Sequence, residues 1–118
     1  MTDPRLADLK QFTGSEEWFR HALNRSVTYT QGARYVAEQV GAYWLLDEIA
    51  LAQLAVAVVR AQPFQVWKLD VMGSRATLFC EDGNDAVVFT KDISFTNFPE
   101  PGITLWFTDK VILLPSEY

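Results

Sequence analysis

Residues 30–60 read TQGARYVAEQVGAYWLLDEIALAQLAVAVVR, and this stretch decides the fold class. Val36, Val40, Trp44, Leu51, Leu54 and Val58 recur at spacings of three, four and seven, the period of one helical face. Thr30 stands where an N-cap belongs, and Pro63 stops the pattern. The spacing predicts a long helix from Gln31 to Arg60, which Gly41 bends or splits. From Ile49 onward the segment is apolar on nearly all sides, so cover on more than one face is expected. The apolar run from Ile49 to Val59 is broken by Gln53 and preceded by Asp47 and Glu48, too short and too charged to span a bilayer.

Downstream the period changes from helical to alternating. Val66, Lys68 and Asp70 oppose Trp67, Leu69 and Val71, which marks a strand over Phe64–Val71. Gly73-Ser74 and Glu81-Asp82-Gly83-Asn84 are turn signals that bound strands over Ala76–Cys80 and Ala86–Phe95. Pro99 to Gly102 is a loop, and Thr108-Asp109-Lys110 joins strands over Ile103–Phe107 and Val111–Leu114. Upstream, Asp3-Pro4 starts a short helix through Lys10, and Thr13-Gly14-Ser15-Glu16 matches a capping box. Residues 17–30 fit either a helical face or a hairpin turning at Asn24-Arg25, and the β-prone Val27-Thr28-Tyr29-Thr30 favours the hairpin. The expected fold is one α+β domain over 1–118, with the long helix packed on an antiparallel meander. Trp44, Leu51, Leu54, Trp67, Leu78 and Trp106 are its expected core.

The chain has 118 residues, 49% of them hydrophobic, enough for a core without staples. One cysteine, Cys80, excludes an internal disulfide, and one histidine, His21, leaves no His-rich metal site. The opening Met1-Thr2-Asp3-Pro4-Arg5 is no signal peptide, so a cytoplasmic location is expected. Net charge is −5; residues 1–60 carry seven acids and six bases, residues 61–118 eight acids and four bases. No Lys/Arg run exists for a nucleic-acid backbone, and neither nucleic acid nor membrane is an expected partner. No phosphate loop, nucleophile elbow or zinc motif is present, and no cofactor or metal is expected.

Asp47 falls among Tyr43, Trp44, Leu51 and Leu54, where a carboxylate must be hydrogen-bonded or protonated. It is expected to be largely buried, as a structural acid, with a catalytic or ligand-binding acid as the alternative. Arg20 and His21 are the other catalytic candidates; Tyr29, Glu38 and Tyr43 are binding candidates. Glu38 also suits a surface pair with Arg34, four residues away. Glu81 to Asp85 lacks the ligand spacing of a calcium loop and reads as a hairpin tip. Cys80, in an apolar strand, reads as a small core hydrophobe.

Several blocks occur together: Gln11-Phe12-Thr13-Gly14, Tyr29-Thr30 with Gly32, Gly41 to Asp47, Phe64-Gln65-Val66-Trp67, Cys80 to Asn84, and Leu113 to Tyr118. The set resembles an uncharacterised family of small bacterial proteins often carried on plasmids, phages and integrated elements. The resemblance spans nearly the whole chain and implies a bacterial, mobile-element setting without an activity. The family's Arg-His pair matches Arg20 and His21. The expected function is non-enzymatic: binding another protein as an accessory or inhibitory factor of a mobile element. A small enzyme with a pocket around His21, Asp47, Glu38 and Tyr29, and a structural homodimer, are the alternatives.

Overall fold

A computed structural model describes residues 3–118 of the chain; Met1 and Thr2 of the opening stretch lie outside the described residues. Two single 3-10 turns, Pro4–Leu6 and Leu9–Gln11, replace the expected N-terminal helix, although Asp3 accepts the Arg5 amide as a cap. Strands β1 (Trp18–Arg20) and β2 (Thr28–Thr30) form the favoured hairpin, with Phe19 opposite Tyr29. Its turn closes where the Val27 amide bonds the Asn24 carbonyl. No helix follows Thr13–Glu16. The Ser15 hydroxyl instead accepts the Gln31 amide, so the presumed cap serves a helix sixteen residues later.

The helical stretch is three helices, not one: α1 (Gln31–Val40), α2 (Tyr43–Ala55) and α3 (Ala57–Arg60). Thr30 caps α1 through its hydroxyl, 3.2 Å from the Ala33 amide. Gly41 ends α1 in the left-handed conformation, φ 64°, which a glycine adopts without strain. Val56 adopts an extended conformation and separates α3 from α2. Arg60 folds back from α3, its Nη1 3.0 Å from the carbonyls of both Gln53 and Leu54, and so satisfies the free end of α2.

Strands β3 (Phe64–Met72), β4 (Arg75–Glu81), β5 (Val87–Ile93), β6 (Gly102–Thr108) and β7 (Val111–Leu113) complete the sheet. Its order is β1-β2-β7-β6-β3-β4-β5, and β2 pairs with β7 in parallel. The sheet is therefore mixed, and the expected simple meander is corrected. After β5 the chain passes the turn end of the β3–β4 hairpin and returns on the far side of β3. Phe98 is buried in that crossing, and the Thr96 amide and the Pro101 carbonyl tie it to Ser74 and Val71.

The helices cover one face of the sheet, where Trp67, Leu69, Leu78, Cys80, Leu105 and Ile112 meet Val36, Leu45, Leu46 and Ile49 in one core. Trp67 and Leu78 are buried as expected, while Trp44 and Trp106 are only partly covered. Two polar devices fix the helices on the sheet. The buried amides of Gln53 and Gln65 bond reciprocally at 2.8 and 2.9 Å, and Gln65 also accepts the Trp67 indole N–H. At the other end the buried Glu117 carboxylate takes the Gly32 amide at 3.1 Å, the Leu114 amide at 2.9 Å and the Thr30 hydroxyl. That carboxylate seats the C-terminal turn on the N-terminus of α1, where the helix dipole favours a negative charge.

Candidate functional site

Strand alternation sends Phe19, His21 and Tyr29 toward the helices and Trp18 and Arg20 to the other side. His21, Asp47, Tyr29, Glu38 and Tyr43 thus line the seam between the hairpin and α1–α2. Arg20 is exposed, bonds the Arg25 carbonyl within its own hairpin and stays out of the seam.

His21 is buried and both its nitrogens are engaged. Nδ1 accepts the amides of Leu23 and Asn24 at 3.1 and 3.0 Å, so the ring proton sits on Nε2 and is donated to Asp47 Oδ1 at 2.7 Å. A general base needs a free lone pair facing substrate. His21 has none to offer, because two backbone amides occupy it. The pair works as a clamp: it closes the hairpin turn and fastens it to α2, helped by Asn24, whose side-chain N–H bonds the Ala50 carbonyl. Asp47 does accept a bond from outside its own helical turn, but its side chain is 47% exposed, so the expectation of a largely buried acid is corrected. Its second oxygen is not taken up by His21.

The rest of the seam is aromatic and charged. Phe19 stacks on Tyr29, Tyr29 meets Tyr43 edge-on, and the Arg34 guanidinium lies 4.5 Å from the Phe19 ring centre. Arg34 and the Tyr43 hydroxyl both donate to Glu38. These donors, Arg34 first, hold the Glu38 carboxyl below its usual range. Burial, then the Glu38 carboxylate, pushes the Tyr43 phenol up. The three binding candidates therefore do meet, Glu38 and Tyr43 through a hydrogen bond and Tyr29 through its ring contacts with Tyr43 and Phe19. Cys80 lies in the core, where burial raises its thiol to about 12. Among the described residues no cluster of three or more His, Cys, Asp or Glu is placed to hold a metal ion.

The feature that the sequence pattern missed is the outer arc of α2. Leu51 and Leu54, expected in the core, are exposed, Leu54 by 59%. Successive helical residues turn by about 100°, which sets Tyr43, Leu54, Asp47, Leu51, Trp44 and Ala55 side by side on this arc. The inward arc holds Leu45, Leu46, Ile49, Ala50, Ala52 and Gln53, all buried. Because α2 is apolar around most of its circumference, periodicity does not distinguish the two arcs. Val58 on α3 and Leu23 at the hairpin tip, 63% exposed, are further exposed apolar side chains. Glu48, held by Lys91 of β5 at 2.8 Å, borders the outer arc.

Among the described residues no helix is long and apolar enough to cross a membrane. No curated protein and no solved structure is similar to the chain. A family model does match, over residues 4–118, and the chain belongs to that family, the family of unknown function DUF6876.

Proposed function

We propose that this protein works by associating with another protein, as an accessory or inhibitory factor of a bacterial mobile element, and not by turning over a substrate. One observation carries the reading: α2 presents Leu51 and Leu54 outward and exposed, between the half-covered rings of Tyr43 and Trp44. An exposed apolar arc of this kind favours a protein interface. The occupied nitrogens of His21 weigh against the enzyme reading. The surplus of acids in residues 61–118 suits a partner with a basic surface, with an association rate that falls as salt rises. The cytoplasmic setting and the mobile-element context rest on the sequence and its family resemblance.

The test compares tagged variants in the native host. Leu54→Glu, folded by circular dichroism, is expected to lose both a stoichiometric partner and the activity in the host. His21→Ala or Asp47→Asn, where folded and still holding the partner, is expected to keep the activity. Loss of activity in such a variant, with Leu54→Glu active, returns the function to a catalytic site.

A further inference from the structure

The apolar arc of α2 carries its own complementary charges. Leu51 points outward at its centre. Asp47 stands four residues before Leu51 and Leu54 three after it, both on the same flank. The Arg60 guanidinium is fixed on the Gln53 and Leu54 carbonyls, which places a cation on that flank at the C-terminal end of α2. Asp47 is held on the flank at the N-terminal end by His21, half-exposed and with one oxygen left to accept. One negative and one positive group thus stand on either side of Leu51 along a single edge of an apolar stripe.

We propose that a second copy of this chain covers this arc, with the two α2 helices antiparallel about a two-fold axis at Leu51. The proposal rests on the preceding reading that the arc is an association surface: a second copy is its occupant, and the host partner is then bound by the dimer that the arc builds. A two-fold axis across an antiparallel helix pair brings the N-terminal end of a flank against the C-terminal end of the same flank in the other copy. Asp47 of each chain then faces the partner's Arg60, and the contact forms twice. A parallel pairing would place the two Asp47 side chains on opposite flanks of the seam, each away from the partner's Arg60. Leu51 meets Leu51 at the axis, Leu54 and Trp44 pack on either side, and the small Ala55 and Ala57 let the chains approach closely. Leu23, beside α2 through the Asn24–Ala50 bond, extends the buried apolar surface. Burying an exposed apolar stripe drives the association, and the charge pairs set its register.

Light scattering on the purified full chain at micromolar concentration is expected to give the mass of two chains. Leu51→Glu, which sets two carboxylates face to face at the axis, is expected to give a folded monomer. Leu51→Cys is expected to cross-link to itself when diamide is added, because a residue on the axis faces its own copy; Cys80 is fully buried and does not compete. Met72→Cys, 82% exposed at the far end of β3, serves as the uncross-linked control. Asp47→Arg and Arg60→Glu are each expected to weaken the dimer about tenfold, and the double variant to restore it. A monomeric wild type, a dimer that survives Leu51→Glu, or cross-linking of Met72→Cys equal to that of Leu51→Cys overturns the proposal. A monomer whose Leu54→Glu variant still loses its host partner overturns the dimer alone. A dimer whose Leu54→Glu variant keeps its host activity overturns the functional reading alone.

Discussion

Replacing Gly32 by alanine sets a local rule against a tertiary contact. Gly32 is the second residue of α1, and alanine in place of glycine within a helix stabilises by up to about 1 kcal/mol. A Cβ at this position, however, falls 2.5 Å from Glu117 Oε1, 2.6 Å from Leu114 Cδ1 and 2.7 Å from Glu117 Cδ. The Leu114 methyl can turn aside. The carboxylate cannot retreat without leaving the Gly32 amide, the Leu114 amide or the Thr30 hydroxyl. Each hydrogen bond to a charged group contributes about 1.5–3 kcal/mol. Losing two of the three costs about 3–6 kcal/mol. Subtracting the helix gain leaves a net loss of about 2–5 kcal/mol. At about 4 °C per kcal/mol for a chain of this length, Tm falls by roughly 8–20 °C. Urea denaturation followed by tryptophan fluorescence, with a thermal melt by circular dichroism, measures both quantities. In a Glu117→Ala background the obstructing oxygen is gone, and Gly32→Ala is expected to cost less than about 1 kcal/mol, a positive coupling in the double-mutant cycle. A Gly32→Ala protein as stable as wild type, or an equal cost in both backgrounds, refutes the clash and the placement of Glu117 on α1.

Leu54→Ala is expected to cost less than about 1 kcal/mol in urea denaturation because the side chain is mostly exposed, whereas Ile49→Ala, on the inward arc, costs about 2–5 kcal/mol; the reverse order would invert the helix register. Gln65→Leu strands the buried Gln53 amide and the Trp67 indole N–H and is expected to cost about 1–3 kcal/mol, part of which the double variant with Gln53→Leu recovers. Asp47→Asn retains an acceptor for His21 Nε2–H and is expected to change stability by less than about 1 kcal/mol, while His21→Ala frees the buried Asn24 amide and the part-buried Leu23 amide and costs about 2–4 kcal/mol. Nitrogen NMR of His21 should find the proton of the neutral ring on Nε2, and a proton on Nδ1 contradicts the clamp. The Cys80 thiol, pushed from 9.0 to about 12 by burial, should resist Ellman's reagent in the folded chain and react on unfolding. Since its folded value lies above its unfolded one, its contribution to stability is complete below pH 9.0 and is lost as pH rises from there to about 12, which urea titrations across that window would follow.

Much of the fold was legible one segment at a time. The alternation of residues 64–71, the turn residues after β3 and β4, and the cap at Thr30 each act over a few bonds, and each produced the expected element. The α+β class follows from the same signals. The pairing order of the strands was not legible, because β6 joins β3 only after a crossing whose anchor, Phe98, reads in sequence as one more loop aromatic. At the site, the sequence singled out His21, Asp47, Tyr29, Glu38 and Tyr43 by residue type, but not their partners. The bond between His21 and Asp47 spans 26 positions, and the two amides that occupy His21 Nδ1 depend on a turn that packing against α2 holds.

The sequence by itself determined the local elements, because capping, alternation and turn propensity are properties of neighbouring residues. Tertiary structure alone decided which arc of α2 faces the core. A helix that is apolar on both arcs gains by burying either one, and the choice falls to the groups that pin it: the Gln53–Gln65 amide pair from beneath, His21 and Lys91 from the sides. Those pins bury Leu46 and Ile49 and leave Leu51 and Leu54 outward, so the surface on which the functional reading rests is set by contacts far apart in the chain.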